Sequence, residues 1–208
     1  MTAFPIAAIL ADNHLRVKAT SVNPIDIKVR KGVYDDAPDY YEKVAGLKPY
    51  HCIGFDGAGV VVEVGPDVQN FKQGDEVYYV TPTTRQGTNE EYQILPEMTV
   101  GRKPKSLDFV EAAALPLTYG TAYEALVERM RIEKGENVGL LIINGAGGVG
   151  AVASQIARNV LELPVVVTTA SRPESIAFTK KMGATHVINH REDLRPQIKG
   201  LNLNVPIK

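Results

Sequence analysis

Val138-Gly139-Leu140-Leu141-Ile142-Ile143, then Asn144-Gly145-Ala146-Gly147-Gly148-Val149-Gly150, then Ala151 through Arg158: an apolar run, a glycine turn and an apolar helical pattern follow one another directly. They read as strand, turn and helix. In Gly145-x-Gly147-x-x-Gly150 the first glycine permits a tight turn, the second lets backbone approach a pyrophosphate, and the third lets the helix pack closely on the strand. Phosphate oxygens can then sit on Gly148, Val149 and Gly150, with Ala146 beside them, at the positive end of the helix dipole. Glycine turns also join strands to helices for steric reasons alone. Here Pro164-Val165-Val166-Val167-Thr168-Thr169 supplies a second β-branched strand and completes a βαβ unit, which favours the dinucleotide reading.

The tip of that second strand carries cofactor choice. An acidic residue about 20 positions past the glycines binds the ribose 2′-hydroxyl of NAD, whereas an arginine accommodates a 2′-phosphate. The chain has Ala170-Ser171-Arg172, and Glu174 falls in the first turn of the next helix, where it complements the dipole. Ser171 and Arg172 therefore favour NADP(H). The alternative is Arg172 as a solvated surface charge.

With 208 residues and 44% hydrophobic content the chain can bury a core as one large domain or two small ones. A net charge of −1 and no basic cluster interleaved with aromatics give no general attraction to nucleic acid or anionic membrane, so a small-molecule partner is expected. The single cysteine, Cys52, excludes an internal disulfide and a four-cysteine zinc site and fits a cytoplasmic setting. No apolar run reaches membrane-spanning length, and the first residues lack the basic region of a signal peptide.

Residues 1 to 14 carry no clear signal, but Leu15 to Val22 alternates like a half-exposed strand. Asn23-Pro24, with Asp26 in the first turn, opens a short helix ending at Gly32. Residues 33 to 51 read as a long loop over a site. Short strands then follow at Val60–Val64, Glu76–Val80 and Glu91–Leu95, indicating a small antiparallel barrel or sandwich. From Ser106 the pattern turns helical: Ser106 caps Leu107–Ala114, Pro116 stops that helix, and Tyr119–Met130 follows with Tyr123, Leu126, Val127 and Met130 on one face. A boundary near 117 divides an all-β front, 1–117, from an α/β back, 118–208. Helices are expected over Pro173–Met182 and Asp193–Lys199, with a third strand at Ala184–Asn189 between them.

Taken in order, Val22-Asn23-Pro24-Ile25-Asp26, Gly54-x-Asp56-x-Ala58-Gly59, Gly74-Asp75-Glu76-Val77, the run from Ala112 to Leu126, Gly145 to Gly150 and Lys181-Met182-Gly183-Ala184 resemble the medium-chain dehydrogenase/reductase superfamily. Within it they are most similar to the zinc-free quinone oxidoreductase and enone reductase branch, which includes zinc-type alcohol dehydrogenase-like proteins. The resemblance implies fold class α/β plus β: a GroES-like β-rich catalytic domain followed by the first half of a Rossmann NADP(H)-binding domain. It also implies hydride transfer from NADPH to a quinone, an enone or an alkenal, and a substrate cleft between the domains.

By motif position, Asn23 stands where the zinc branch has a cysteine ligand, Phe55 where it has histidine and Asp56 where it has glutamate. A catalytic zinc needs three protein ligands, so no metal is expected. His51 and Cys52 are adjacent and would point to opposite faces of a strand. Asn23 is a candidate to hydrogen-bond substrate or nicotinamide ribose, or else a helix cap. Lys28 and Tyr34 are candidate oxyanion stabilisers or proton donors, or else exposed polar residues. Thr118 and Thr121, with Tyr119 between them as a packing residue, match the segment that approaches the nicotinamide end. Asn189 and His190 match the approach to adenine. A non-catalytic dinucleotide-binding or crystallin-like structural or RNA-contacting protein and an alcohol dehydrogenase-like enzyme are the alternative functions.

A complete dinucleotide fold has two βαβαβ halves, and only the first is legible here. The expectation is a partial protein that binds 2′,5′-ADP but transfers little hydride alone. Val138–Ile143, lacking its neighbour from the other half, is expected to expose an apolar edge open to self-association.

Overall fold

The computed structural model describes residues 12–34 and 50–208, which divide into two compact units, Met1–Leu117 and Thr118–Lys208. Most of the loop expected over residues 33–51 lies outside the described residues.

Among the described residues the front unit holds one five-stranded antiparallel sheet. Its strands are β1 (Asp12–Ser21), β2 (Asp56–Val64), β3 (Glu76–Val80), β4 (Tyr92–Pro96) and β5 (Val100–Arg102), in the spatial order β4-β1-β2-β3-β5. β1 begins three residues before the alternating pattern, because Asp12, Asn13 and His14 already pair with Pro96, Leu95 and Ile94 of β4. Against β2 its register shifts twice, between His14 and Leu15 and between Val17 and Ala19. Leu15, Val61, Val77, Tyr79 and Leu95 point to one face and form the core. Each aliphatic side chain so buried contributes about 1.5–3 kcal/mol.

Helix α1 (Pro24–Arg30) follows β1, with Pro24 at its first position and Gly32 at φ 69° beyond its end. Helix α2 is shorter than expected, Phe109–Ala113, and its cap is Asp108 rather than Ser106. The Glu111 N–H donates to Asp108 Oδ1 at 2.8 Å and the Asp108 N–H donates to Glu111 Oε2 at 3.1 Å. This reciprocal box satisfies two end donors and outweighs the single bond Ser106 could supply. Pro116 does not merely stop α2; it is the first residue of α3 (Pro116–Tyr123), which runs on as a π-helical segment, Glu124–Arg129. The widened turn advances the chain by one residue, so Leu126 stays buried while Tyr123 and Met130, expected on the same face, are 37% and 39% exposed.

The back unit holds three parallel strands, β6 (Gly139–Ile142), β7 (Val165–Thr169) and β8 (His186–Ile188), ordered β6-β7-β8. Helices α4 (Gly148–Gln155, extended as a π-helical turn to Val160) and α5 (Pro173–Lys181) connect them, and α6 (Leu194–Gly200) follows. This is the first half of a Rossmann sheet. Ala122, Leu126, Leu140, Ile156, Leu163 and Val166 lie in its core. Among the described residues no helix is long and apolar enough to cross a membrane.

The expected bare edge of β6 is a correction. The Gly139 N–H donates to Pro206 O at 2.7 Å, the Lys208 N–H to Gly139 O at 2.8 Å, and the Leu141 N–H to Lys208 O at 3.0 Å. Pro206–Lys208 thus runs parallel to β6, with Ile207 opposite Gly139. The Lys208 ammonium lies 2.5 Å from Glu136 Oε1. Hydrogen bonding to Lys208 holds the Glu136 carboxyl below its ordinary value.

Candidate functional site

The glycine turn is pinned to the tip of β7: the Asn144 N–H donates to Thr169 Oγ1 at 2.8 Å and the Gly145 N–H to Thr169 O at 3.2 Å. The left-handed residue of the turn is Asn144, at φ 58°, and not Gly145. Asparagine tolerates that conformation better than most residues. Gly145 is needed for a different reason, since a Cβ there would come within 2.5 Å of Thr168 Cβ. At Gly147 a Cβ would meet the Asn144 amide nitrogen at 2.8 Å. At Gly150 it would meet Asn144 O at 2.5 Å and Gly145 Cα at 2.8 Å, so the third glycine does let α4 lie against the turn.

Above the turn opens a cavity of about 350 Å³, lined by Asn144, Ala146 and Gly147, by Thr169 to Arg172 and Ser175, and by His190 and Arg191. Among the described residues no carboxylate lines it. Ser171, Arg172, His190 and Arg191 come together because parallel strands end side by side, and the residues after β7 and β8 share that end of the sheet with the glycine turn. Ser175 shapes the rim: its Oγ donates to Arg172 O at 2.9 Å and accepts the Arg172 N–H at 3.2 Å. Two guanidinium groups with hydroxyls and helix-start amides suit an anionic, phosphate-bearing ligand.

Of the expected cofactor residues, Ala146, Gly147, Ser171 and Arg172 line this cavity, whereas Gly145 and Gly150 are buried beside it. Gly148 and Val149 lie exposed at the start of α4, and a Cβ on Gly148 would touch the Thr118 methyl at 3.2 Å. Thr121 is exposed on α3. Asn189 does not line the cavity: its Nδ2 donates to Glu192 Oε1 at 2.9 Å, its Oδ1 accepts the Arg191 N–H at 3.0 Å, and its N–H donates to Gln197 Oε1 at 2.8 Å. Asn189 instead shapes the loop that delivers Arg191, a residue the sequence reading passed over. Its place directly after the third parallel strand was the available signal.

In the front unit Asn23, Ser21 and Asp56 form a buried polar cluster. Asp56 is fully buried and Asn23 is 8% exposed. Asp56 Oδ2 accepts Asn23 Nδ2 at 2.8 Å and Ser21 Oγ at 2.9 Å, and Oδ1 accepts the Leu117 N–H at 2.7 Å. Burial pushes the Asp56 carboxyl up, and these donors pull it back. Asn23 caps α1 in position only, since its side chain makes no capping bond; Asp26 Oδ2 accepts the Asn23 N–H at 2.7 Å instead. Lys28 is exposed in the last turn of α1, and Tyr34 is half-buried beyond it.

These residues do not suit zinc. Phe55 is a buried hydrocarbon, Asn23 presents its N–H groups, and both Asp56 oxygens are occupied by donors. His51 Nε2 lies 3.1 Å from Arg85 O, and the half-buried Cys52 has its thiol pushed up by burial and by Glu90. No group of three His, Cys, Asp or Glu side chains suited to a metal occurs among the described residues.

Glu90 itself is pushed up to about 7 by burial. Its folded value exceeds its unfolded one, so the native state holds the extra proton and stability falls as pH rises through about 4.5 to 7. Glu90→Gln is expected to flatten that slope and to raise stability at pH 8 by roughly 1 kcal/mol, discounted because the group is half solvated. Urea unfolding at pH 5 and 8 checks this; an unchanged slope refutes it.

Residues 11–105 match the alcohol dehydrogenase GroES-like domain. Over 189 residues the chain is 43% identical to the zinc-type alcohol dehydrogenase-like protein SAV2186 of Staphylococcus aureus, covering 89% of this chain and 52% of that protein. It is 38% identical to a quinone oxidoreductase of Pongo abelii, covering 86% of this chain and 50% of that one. The crystal structure of Escherichia coli quinone oxidoreductase complexed with NADPH superposes with a TM-score of 0.74 at 28% identity, over 93% of this chain and 55% of that one. The chain spans about half the length of the curated relatives it matches.

Proposed function

We propose, for a chain that belongs to the medium-chain dehydrogenase/reductase superfamily and has zinc-type alcohol dehydrogenase-like proteins and quinone oxidoreductases as homologues, that it serves NADP(H)-dependent, zinc-free hydride transfer to a quinone or an activated C=C bond. The observation that carries this reading is the cavity at the glycine turn, which Arg172 and Arg191 both line and which, among the described residues, no carboxylate lines. A carboxylate would hold a ribose 2′-hydroxyl and repel a 2′-phosphate; two guanidinium groups do the reverse. Zinc is left out of the proposed chemistry because Asn23 and Phe55 supply no metal ligand and Asp56 is already saturated with donors. The reduced nicotinamide supplies the hydride when bound, and the chain's part is to hold the adenosine phosphates on α4 and the two arginines.

Titration with 2′,5′-ADP against 5′-AMP tests the reading. Tighter binding of 2′,5′-ADP by at least tenfold is expected, and equal affinity would refute the NADP preference. Self-association beyond Leu141, where Ile143 directly after β6 is 58% exposed, belongs to the same proposal.

A further inference from the structure

Past Ile188, whose carbonyl accepts the Ala170 N–H at 3.0 Å, the chain leaves the sheet and turns through Asn189, His190, Arg191 and Glu192 before Asp193 caps α6. His190 and Arg191, in the middle of this turn, line the cavity above the glycine turn. The turn closes on itself: the Glu192 N–H donates to Asn189 O at 3.2 Å and the Arg191 N–H to Asn189 Oδ1 at 3.0 Å. Local bonds of that kind give a turn its shape but not its place. Its place comes from α6. The Gln197 carboxamide sits on the backbone of Asn189, where Oε1 accepts the Asn189 N–H at 2.8 Å and Nε2 donates to Asn189 O at 3.0 Å. A carboxamide carries the same donor and acceptor as a peptide unit, so Gln197 pairs with Asn189 as the backbone of a neighbouring strand would. Nε2 also donates to Asp193 O at 3.0 Å, which uses its second hydrogen. Turning the amide over would set its oxygen against two carbonyls and its NH₂ against an N–H, so the orientation is fixed. Among the described residues, the two bonds to Gln197 are the hydrogen bonds that join this turn to a helix side chain.

We propose that Gln197 is a positioning residue for the nucleotide cavity: its carboxamide holds the turn between β8 and α6 so that Arg191 is presented to the 2′-phosphate of NADP(H). The inference rests on the NADP(H) reading for its ligand. Gln197 is not among the residues that line that cavity, and it acts through Asn189 and Arg191. A turn held in place before the nucleotide arrives does not have to be ordered on binding, and this saved ordering is what Gln197 contributes to affinity.

Gln197→Met tests this on the full chain, because methionine keeps the length and helix propensity of glutamine and removes both bonds. It is expected to weaken 2′,5′-ADP binding by roughly 3- to 10-fold, the range of one net hydrogen bond, and to change 5′-AMP binding by less than about twofold. In an Arg191→Ala background the same change is expected to cost less than about twofold further, since a residue that works through Arg191 has nothing left to position. Backbone amide exchange by ¹⁵N NMR, read without nucleotide, is expected to be at least about tenfold faster at Asn189 in Gln197→Met than in the wild type. Unchanged 2′,5′-ADP affinity in Gln197→Met, an equal loss for both nucleotides, or the full loss repeated in the Arg191→Ala background overturns the positioning role. Unchanged exchange at Asn189 overturns the clamp itself. Should Gln197→Met fail to fold, Gln197→Ala takes its place with the same expected pattern and the same refuting results. A wild type that binds 2′,5′-ADP no more tightly than 5′-AMP refutes the NADP(H) preference instead, and the exchange measurement, made without nucleotide, keeps the two failures apart.

Discussion

Arg172→Ala is expected to weaken 2′,5′-ADP binding by about 10- to 100-fold, the equivalent of losing one charge-assisted contact of roughly 1.5–3 kcal/mol. Binding of 5′-AMP should change less than twofold, because it differs from 2′,5′-ADP only in lacking the 2′-phosphate. Arg191→Ala should act in the same direction, since both side chains line the cavity beside the glycine turn. Two arginines on one phosphate share its charge, so the double variant is expected to lose less than the sum of the single losses. Fluorescence titration of the wild type and the three variants with each ligand, at two salt concentrations, measures these affinities. An equal loss for both ligands would show that Arg172 does not read the 2′-phosphate.

Gly150→Ala is expected to be the most damaging single methyl in the back unit. The added carbon would lie 2.5 Å from Asn144 O and 2.8 Å from Gly145 Cα, and both are backbone atoms of the turn, with no flexible side chain to swing aside. Overpacking of this kind costs about 1–3 kcal/mol, and the upper end applies where backbone must move. The turn carries the phosphate-binding amides, so 2′,5′-ADP affinity should fall with stability. Gly120→Ala is the control: nothing lies within 4 Å of its Cβ position, and on a helix that change is expected to stabilise by about 0.5–1 kcal/mol. Urea midpoints for the two variants should move in opposite directions. A Gly150→Ala midpoint equal to wild type would refute the close approach.

The parts of this molecule that are legible from sequence are those whose signal is local. The β-branched run at Val165–Thr169 and the alternation around Leu15 are burial patterns written within one element, and both became strands. β5, three residues around Gly101, has too little pattern to read and exists because Val100–Arg102 pairs with β3. The true cap of α2 was readable, since Asp108 with Glu111 three residues on is a reciprocal pair that Ser106 lacks. The π-helical turns were not, because a one-residue widening changes which side chains share a face while leaving composition untouched. At the site the glycine turn was readable, although the strained position proved to be Asn144. Arg191 reaches the cavity because strands far apart in sequence end side by side, and Asn23 finds its hydrogen-bond partner in Asp56, 33 positions away.

The pairing of Pro206–Lys208 with β6 makes this segment a tethered competitor for that edge. A segment joined to its target by a short linker acts at an effective concentration on the order of millimolar. Any outside strand offered at micromolar concentration would meet a rival roughly a thousandfold more concentrated. Freeing the backbone of Gly139 and Leu141 requires release of the Lys208–Glu136 ion pair and the three backbone bonds beside it, and raised salt, which weakens exposed ion pairs, should loosen this segment.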